Sequence, residues 1–366
     1  MRVGGRELRT IWRSSDGLSV EVIDQTRLPH EVFVARLDSV DAMATAIATM
    51  MVRGAPLIGV AAAYGVCLAM RDDPSDAALE VACARLRATR PTAVNLVWAL
   101  DEMKRVLAPF SDAGPTRLEA AWAAAASIAD ADVASCRAMA EHGLPLLQGI
   151  GGKGSGRPIN LMTHCNAGWL ATVDWGTALA PVYLWHRSGL DVHVFVSETR
   201  PRNQGYLTEW ELRQEGVPCT VIADNSAGHL LQRGEVDAVI VGTDRTAGNG
   251  DVCNKIGTYM KALAAKAAGV PFWVAAPSSS IDFGMTSGDD VPIEARDGDE
   301  LRLVSGLGKE GGAQSVRMLA AATNVRNPAF DVTPAALVTK LITERGVCEA
   351  SAIGLCSLFP ERAHAS

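Results

Sequence analysis

The spacing of hydrophobic and polar positions changes near residue 40. Before that point apolar and polar side chains alternate weakly over Leu8–Trp12, Ser19–Ile23 and His30–Leu37, and Asp16-Gly17 separates the first two runs. Alternation with a period of two is typical of a half-buried strand. Residues 1–40 are therefore predicted to form a small antiparallel sheet.

From Val40 the apolar positions follow the period of a helix. Five helices are predicted, at Asp41–Met51, Leu57–Met70, Ser75–Ala88, Leu96–Leu107 and Arg117–His142. The second is apolar on nearly all sides, as expected of a buried helix, and it is too short and too rich in alanine to span a bilayer. Beyond these helices, Leu144–Pro158 is rich in Gly, Lys and Ser and is predicted to be a linker or a flexible loop.

The second half of the chain alternates short apolar runs with helical patterns. The predicted strands are Asn160–Thr163, Val192–Ser197, Cys219–Ala223, Ala238–Val241 and Pro271–Ala275, and the predicted helices are Gly176–Arg187, Thr208–Glu215, Ser226–Gln232 and Asn254–Ala268. This order predicts a Rossmann-like, doubly wound parallel sheet. The fold class is therefore α/β, with a mostly helical domain in residues 1–150 that carries the small antiparallel sheet, and a Rossmann-like domain in residues 151–366. A length of 366 residues fits two domains.

Composition narrows the classes of function. Apolar residues make up 48% of the chain and charged residues 20%, which is typical of a globular protein, and the net charge of −7 disfavours non-specific binding to nucleic acid. The amino terminus lacks the apolar run of a signal peptide, so a cytoplasmic protein without a membrane partner is expected. The eight cysteines form no CxxC pair and no ligand spacing with histidine, so neither a metal site nor a disulfide framework is predicted.

Polar residues follow four of the predicted strands. They occur in Thr163–Gly168, Ser197–Gly205, Asp224–Ala227 and Thr243-Asp244. Open α/β sheets bind ligands at the carboxyl ends of their strands, so a site is predicted there. Asn254-Lys255, at the predicted start of a helix, would offer N–H groups and a positive charge to an anion, which favours a site that handles phosphate. No GxGxxG motif follows a strand, so a dinucleotide cofactor is not indicated.

Two loops of the first half, Met51–Pro56 and Thr89–Asn95, each place one arginine beside Gly or Pro. The guanidinium groups of Arg53 and Arg90 would suit a bidentate contact with phosphate, although a capping or surface role is the alternative for each. Cys165 stands at a strand end, where helix N–H groups could lower the pKa of its thiol. Its neighbour His164 would point to the opposite face of a continuing strand, so a Cys–His dyad is not assumed.

Several segments together resemble the methylthioribose-1-phosphate isomerase family, which is related to the alpha, beta and delta regulatory subunits of translation initiation factor 2B. They follow the expected order and cover nearly the whole chain: Arg53–Pro56, Arg90–Leu96, Thr163–Gly168, Glu198–Pro201, Gln204-Gly205, Gly242–Arg245, Asn249–Asp251, Asn254–Gly257 and Asn327–Pro334.

The resemblance implies an aldose–ketose isomerase that converts 5-methylthioribose 1-phosphate to 5-methylthioribulose 1-phosphate in methionine salvage, as a homodimer and without a metal or cofactor. It implies Cys165 and Asp244 as the catalytic pair. The substrate contacts that it implies are Arg53, Gly54, Ala55, Arg90, Gln204, Asn254 and Lys255. The chain departs from the family pattern at Leu57, Gly248, Cys253 and Ala295, and it matches the pattern poorly over Val304–Asn324. None of these departures removes a catalytic position, and the loop changes at Gly248 and Cys253 could alter the substrate preference.

Alternatives remain open at this stage. The substrate could be another pentose 1-phosphate, such as 5-deoxyribose 1-phosphate or ribose 1,5-bisphosphate, because the pocket for the 5-substituent cannot be located from the sequence. The chain could instead be a non-catalytic regulatory subunit, but the presence of both Cys165 and Asp244 argues against this. The reaction needs one acid or base near the ring oxygen and another near C1 and C2, and hydrogen could move as a proton or as a hydride.

Overall fold

The structure is a computed structural model that describes residues 1–90, 93–110, 114–150 and 156–362. The predicted antiparallel sheet is present, with strand order β3-β4-β5, and a two-stranded hairpin that the sequence pattern did not indicate precedes it. The five strands are β1 (Arg2–Val3), β2 (Arg6–Glu7), β3 (Ile11–Arg13), β4 (Val20–Ile23) and β5 (Val34–Leu37).

Five helices follow, as predicted: α1 (Val40–Ala48), α2 (Ala55–Asp72), α3 (Asp76–Arg87), α4 (Val94–Leu107) and α5 (Pro115–Ile150). Ser75 caps α3, because its side chain accepts a hydrogen bond from the Ala78 N–H. Among the described residues α2 is the helix that is long and apolar enough to cross a membrane, yet 83% of that stretch is buried inside the protein. It is a core helix of this fold.

The predicted linker is wrong in its first half. Helix α5 continues through Leu144–Ile150 and contains Pro145. The apolar side chains of Leu144, Leu146 and Ile150 pack against a hydrophobic core in which Leu147 is buried, and this packing extends the helix beyond the sequence signal. Residues 151–155 of the predicted linker lie outside the described residues.

A seven-stranded sheet organises the second half, with strand order β18-β17-β12-β9-β6-β7-β8. All neighbouring pairs are parallel except β17 with β18. Its strands are β6 (Ile159–Thr163), β7 (Val192–Ser197), β8 (Cys219–Ile222), β9 (Ala238–Val241), β12 (Phe272–Ala275), β17 (Lys340–Thr343) and β18 (Gly346–Cys348). The five predicted strands are all present, and the sequence pattern missed β17 and β18.

Helices cover both faces of this sheet, namely α6 (Ala180–Arg187), α7 (Gly205–Gln214), α8 (Ser226–Gln232), α9 (Thr258–Ala268) and α11 (Ala352–Leu358). A short helix with no buried residue, α10 (Asp299–Arg302), precedes the last of these. One apolar core lies under α5, α6 and α7, and another lies under α8, α9 and α11. The predicted α/β class with a Rossmann-like sheet is confirmed. The division at residue 150 stays a prediction, because the first of these two cores also includes Met1, Ile23 and Leu28.

A four-stranded side sheet, ordered β13-β10-β11-β16, stands beside the main sheet. Its strands are β10 (Arg245–Ala247), β11 (Val252–Lys255), β13 (Ile281–Asp282) and β16 (Phe330–Thr333). A separate exposed hairpin of β14 (Leu303–Leu307) and β15 (Ala313–Arg317) forms most of the segment that matches the family pattern poorly. The predicted helix start at Asn254-Lys255 is wrong. Both residues pair in β11 with β16, and the left-handed Gly257, at φ 99°, separates this strand from α9.

Candidate active site

Cys165 occupies the turn that follows β6, and its backbone is left-handed, with φ 64°. Residues other than glycine rarely adopt this conformation, because the Cβ atom crowds the backbone. Two threonine hydroxyls hold it: the Cys165 N–H donates to Thr199 Oγ1 at 2.8 Å, and the Thr208 hydroxyl donates to the Cys165 carbonyl oxygen at 2.8 Å. The thiol that this turn carries is partly exposed.

His164 is fully buried and is not positioned as a base for the thiol. Its Nε2 lies 2.8 Å from the Ile256 carbonyl oxygen, and its Nδ1 lies 3.3 Å from Thr199 Oγ1. Burial, together with the charge of Lys261, lowers the pKa of the imidazole to about 3. A neutral ring that bridges two loops fits these contacts, so His164 supports the site instead of exchanging protons in it.

Arg53 reaches the same turn from the loop before α2. Its Nη1 donates to Asn166 Oδ1 and its Nη2 donates to the Asn166 carbonyl oxygen, the latter at 2.8 Å. Gly54, at φ 102°, permits this approach, because a Cβ there would lie 2.4 Å from the Ala171 carbonyl oxygen. Burial lowers the pKa of the guanidinium, and the Cys165, Glu211 and Asp244 charges raise it. The structure therefore places Arg53 against the cysteine turn.

Asn166 is held in turn by the buried carboxylate of Glu211. Glu211 accepts hydrogen bonds from the Asn166 amide, from the Trp169 N–H at 2.8 Å, and from the Tyr183 hydroxyl at 2.8 Å. Burial raises the pKa of this carboxyl to about 7, although these donors oppose the shift. Glu211 thus anchors the residue that orients Arg53. The sequence shows only an acidic residue on a short helix, so no pattern could have identified it.

Asp244 lies between β9 and β10, and its N–H donates to the Cys253 carbonyl oxygen at 3.1 Å. Burial raises the pKa of its carboxyl, while the charges of Arg90, Lys255 and Arg53 lower it. Lys255 is buried at the end of β11, and burial lowers the pKa of its ammonium. Burial likewise raises the pKa of the Cys165 thiol, against the charges of Arg53 and Lys255. Five predicted residues therefore interact electrostatically around Asp244 and Cys165.

An open cleft lies in front of Asp244, which is one of its lining residues. Gly54, Ala55 and Arg90, three of the substrate contacts that the resemblance implies, line it, and Arg90 Nη2 lies 3.5 Å from Glu294 Oε2. Arg90 Nε is buried without a hydrogen-bond partner among the described residues. Arg245 also lines the cleft. The rest of the wall is apolar and was not foreseen: Ile58, Ala93, Cys253, Val291, Pro292 and Phe330.

Gln204 and Asn254 are both buried, but the residues that line the cleft do not include them. The Gln204 amide oxygen has no hydrogen-bond partner among the described residues, and Asn254 Nδ2 donates to Thr258 Oγ1 at 3.0 Å. Their substrate contacts stay predictions. Within the described ranges, no group of three or more His, Cys, Asp or Glu side chains is arranged to hold a metal ion.

Comparisons with known proteins agree on one relationship. The model of the Initiation factor 2 subunit family matches residues 51–350. The methylthioribose-1-phosphate isomerase of Methylocella silvestris is 59% identical over 365 residues, which are 99% of each chain. The methylthioribose-1-phosphate isomerase of Methylorubrum extorquens is 57% identical over 368 residues and is covered completely by the alignment, as is this chain.

Solved structures give the same picture. The 5-methylthioribose 1-phosphate isomerase from Pyrococcus horikoshii OT3 superposes with a TM-score of 0.83 at 39% identity and covers 97% of both chains. The translation initiation factor eIF-2B subunit delta from A. fulgidus has a TM-score of 0.80 at 37% identity and covers 97% of this chain and 100% of its own.

The anchoring role of Glu211 leads to a prediction. A Glu211→Gln substitution presents an NH₂ group where the native carboxylate accepts N–H and O–H donors. Because buried donors then lose their acceptor, the free energy of unfolding should fall by about 1–3 kcal/mol. The release of Asn166 and Arg53 should also lower kcat/KM. Urea unfolding and steady-state kinetics measure the two effects.

Glu209→Gln is the matched control on the same helix. Glu209 forms a surface ion pair with Arg213, at 2.9 Å, and such pairs contribute less than about 1 kcal/mol. Equal losses of stability and activity in the two variants would show that Glu211 does not anchor the turn.

Proposed function

The chain belongs to the Initiation factor 2 subunit family, and we infer that within this family it is a methylthioribose-1-phosphate isomerase. The observation that carries this inference is the identity of 59% over 99% of the chain with an isomerase, combined with Cys165 and Asp244 at one electrostatically coupled site. The resemblance noted from the motifs is thereby confirmed. The enzyme converts the aldose 5-methylthioribose 1-phosphate to the ketose 5-methylthioribulose 1-phosphate, in methionine salvage.

The substrate sets the chemical task. Phosphate caps the anomeric oxygen, so the bond between C1 and the ring oxygen must break while the phosphate stays attached. The ring oxygen gains a proton, one hydrogen moves from C2 to C1, and the C2 hydroxyl loses its proton to become the ketone. No atom is gained or lost overall, so one group that gives and takes back a proton is sufficient at each position.

Asp244 fits the ring oxygen in this proposal. Burial raises the pKa of its carboxyl, which favours the protonated acid that ring opening consumes. The carboxylate that is left can then accept the proton of the C2 hydroxyl. The acid is regenerated when the ketone forms, and the residue returns to its starting state.

Cys165 serves C1 and C2 in the same proposal. If hydrogen moves as a proton, the thiolate removes it from C2 and the thiol returns it to C1. Burial raises the pKa of the thiol, and the charges of Arg53 and Lys255 oppose this shift and so favour the thiolate. If hydrogen moves as a hydride, the thiol only shields the reacting carbons from water. The protein contacts of the cysteine turn are the same for both routes.

We propose that the phosphate lies at the start of α2. The first turn of this 18-residue helix offers backbone N–H groups and a positive dipole end. Arg90 lies across the cleft from Gly54 and Ala55, and its Nε is free to donate. Arg53 adds positive charge, although its Nη groups already bind Asn166.

The apolar wall favours the methylthio substrate over its rivals. Burial of a thioether against Ile58, Val291 and Phe330 is favourable, at about 0.8 kcal/mol for each buried CH₂ group. A second phosphate against these apolar side chains would lose hydration, which is costly, and Arg245, the further cation of the cleft, lies with its Nη1 3.8 Å from Asp282 Oδ2. The apolar wall therefore disfavours ribose 1,5-bisphosphate as the substrate.

Removal of either proposed acid or base tests the assignment. Asp244→Asn keeps the size of the side chain and removes its titrating group, and Cys165→Ala removes the thiol. Each should lower kcat by about 10²–10⁴, the usual contribution of a positioned acid or base. The measurement is a coupled assay of ketose formation, with thermal unfolding as the check on the fold.

Cys356→Ala is the control for loss of a thiol, because Cys356 lies on α11, away from the cleft residues. Wild-type turnover in the Cys165 or Asp244 variant would overturn its catalytic role. It would leave a catalytic site built from other strand ends.

A second prediction concerns the 5-substituent. The wild-type enzyme should use 5-methylthioribose 1-phosphate with a kcat/KM at least about 10²-fold higher than that for ribose 1,5-bisphosphate, which corresponds to about 2.7 kcal/mol of discrimination. Val291→Lys should narrow this ratio by placing a cation on the wall. A ratio near one for the wild type would contradict the assignment of the apolar wall to the methylthio group.

We further propose a cytoplasmic homodimer. Helix α9 exposes an apolar face of Tyr259, Met260 and Leu263, whose exposed fractions are 37%, 56% and 43%. Adjacent exposed apolar side chains of this kind are typical of interfaces. Sedimentation equilibrium should give a dimer mass, and Met260→Glu should shift the equilibrium to the monomer. A wild-type monomer at micromolar concentration would refute the dimer.

A further inference from the structure

A second cavity, of about 450 Å³, opens on the other side of the α2 and α4 helix starts. Its apolar lining includes Pro56, Val60, Ile128 and the indole of Trp98, which is 44% exposed. Pockets of this size with a mostly apolar lining and a few polar groups are typical of sites for small molecules. No step of the proposed reaction uses this cavity.

Two carboxyl groups face the cavity, from Asp132 on α5 and from Glu344 after β17. Each has one backbone donor: the Val173 N–H lies 2.7 Å from Asp132 Oδ2, and the Ser278 N–H lies 3.0 Å from Glu344 Oε2. No lysine or arginine among the described residues forms an ion pair with either group. Burial raises the pKa of the Asp132 carboxyl to about 7, as expected where no cation compensates it.

The lining therefore selects a cation with an apolar body. An ammonium group would satisfy the free oxygens of both carboxyl groups, and the exposed indole attracts a cation over its face. An anion would meet two acidic groups, and a neutral molecule would leave their charge without a partner. The wall of the cavity is thus complementary in charge to an organic ammonium ion.

The cavity shares its structural elements with the catalytic cleft. On α2, Ala55 and Ile58 line the cleft, whereas Pro56 and Gly59 line the cavity. The backbones of α2 and α4 touch here, because a Cβ on Gly59 would lie 2.8 Å from the Asn95 carbonyl oxygen. A molecule in the cavity would therefore contact the start of α2, where the phosphate is proposed to bind.

The second link is Asn95 itself, which lines the cavity at the start of α4. Its Nδ2 donates to Ser279 Oγ at 2.8 Å, which ties the helix to the loop after β12. Ala93, two residues earlier, lines the cleft beside Arg90. A molecule in the cavity would thus also affect the position of the segment that carries Arg90, the second proposed phosphate contact.

We propose that this cavity is an effector site for a small organic ammonium ion with an apolar body, and that its occupancy changes the affinity of the catalytic cleft for its sugar phosphate. The proposal that the cavity binds an ammonium ion does not depend on the proposed function. The second part, the coupling half, is that binding changes the affinity for the substrate, and it rests on the proposed isomerase function. By linkage, the effector and the substrate must change each other's affinity by the same factor.

The probe for binding is phenethylammonium chloride, and its anionic counterpart, 3-phenylpropionate, is the charge control. Isothermal titration of the full chain, without substrate, should show binding of the ammonium compound and at least tenfold weaker binding of the carboxylate. The Asp132→Asn/Glu344→Gln double variant should weaken ammonium binding at least tenfold. Trp98→Ala should also weaken ammonium binding. Because the Trp98 side chain is exposed, this variant should fold, and it tests the site if the double variant does not fold.

Asp130→Asn is the matched control, because Asp130 is exposed on the same helix and pairs with Arg9 at 2.7 Å. It should bind the probe as the wild type does. Equal binding of both probes, undiminished binding in the double and Trp98 variants, or no binding to the wild type would overturn the site.

The coupling half is measured by kinetics. Saturating phenethylammonium should change KM of the wild-type enzyme at least twofold and should leave KM of the double variant unchanged. An unchanged wild-type KM with the probe bound would overturn the coupling. Failure of the isomerase assay itself would contradict the proposed function and not the binding site, which the titration tests without turnover.

Discussion

The left-handed backbone of Cys165 is the constraint on which the rest of the site depends. A residue with a Cβ pays about 1–2 kcal/mol for this conformation, so the surrounding protein must hold it in place. Thr199, which supplies one hydroxyl to it, is itself left-handed, with φ 66°. Its N–H donates to Asp224 Oδ1 at 2.8 Å, so the loop after β7 is anchored before it anchors the cysteine turn.

Several charged side chains of the site are buried away from water. Lys255 is buried within the site, and behind it Lys261 is buried with its Nζ 3.9 Å from Asp224 Oδ1 and without a hydrogen-bond partner among the described residues. Burial of each charge is costly unless an opposite charge lies close to it. Asp224 and Asp244 supply that charge on the two sides of the sheet edge. The resulting field is fixed before substrate arrives, and fixed charges of this kind stabilise a charged transition state without reorganisation.

The sequence pattern predicted the strands and helices better than it predicted the points where one ends and the next begins. The central strands are continuous apolar runs, so β6, β7 and β9 could be placed from pattern alone, and polar strand ends pointed to Cys165 and Asp244. The helix start predicted at Asn254-Lys255 was wrong, because in sequence a short strand that ends in polar residues resembles a capped helix start. Only the pairing with β16 identifies it as a strand. The apolar wall combines Ile58, Val291 and Phe330, which are far apart in sequence and carry no shared pattern. Such positions are defined only by the fold.

One loop couples the reactive thiol to the proposed phosphate site. The turn after β6 carries Cys165, receives Arg53 through Asn166, and continues to Ala171, against which Gly54 packs too closely for any Cβ. A change in this loop must therefore alter the thiol and the start of α2 together. In the proposed assignment the 5-substituent contacts Val291 and Phe330, and Phe330 is not independent of the site, because it pairs with Lys255 across β11 and β16. On this proposal a change at Val291 alters the contact with the 5-substituent and leaves the cysteine turn intact, whereas a change at Phe330 also affects Lys255.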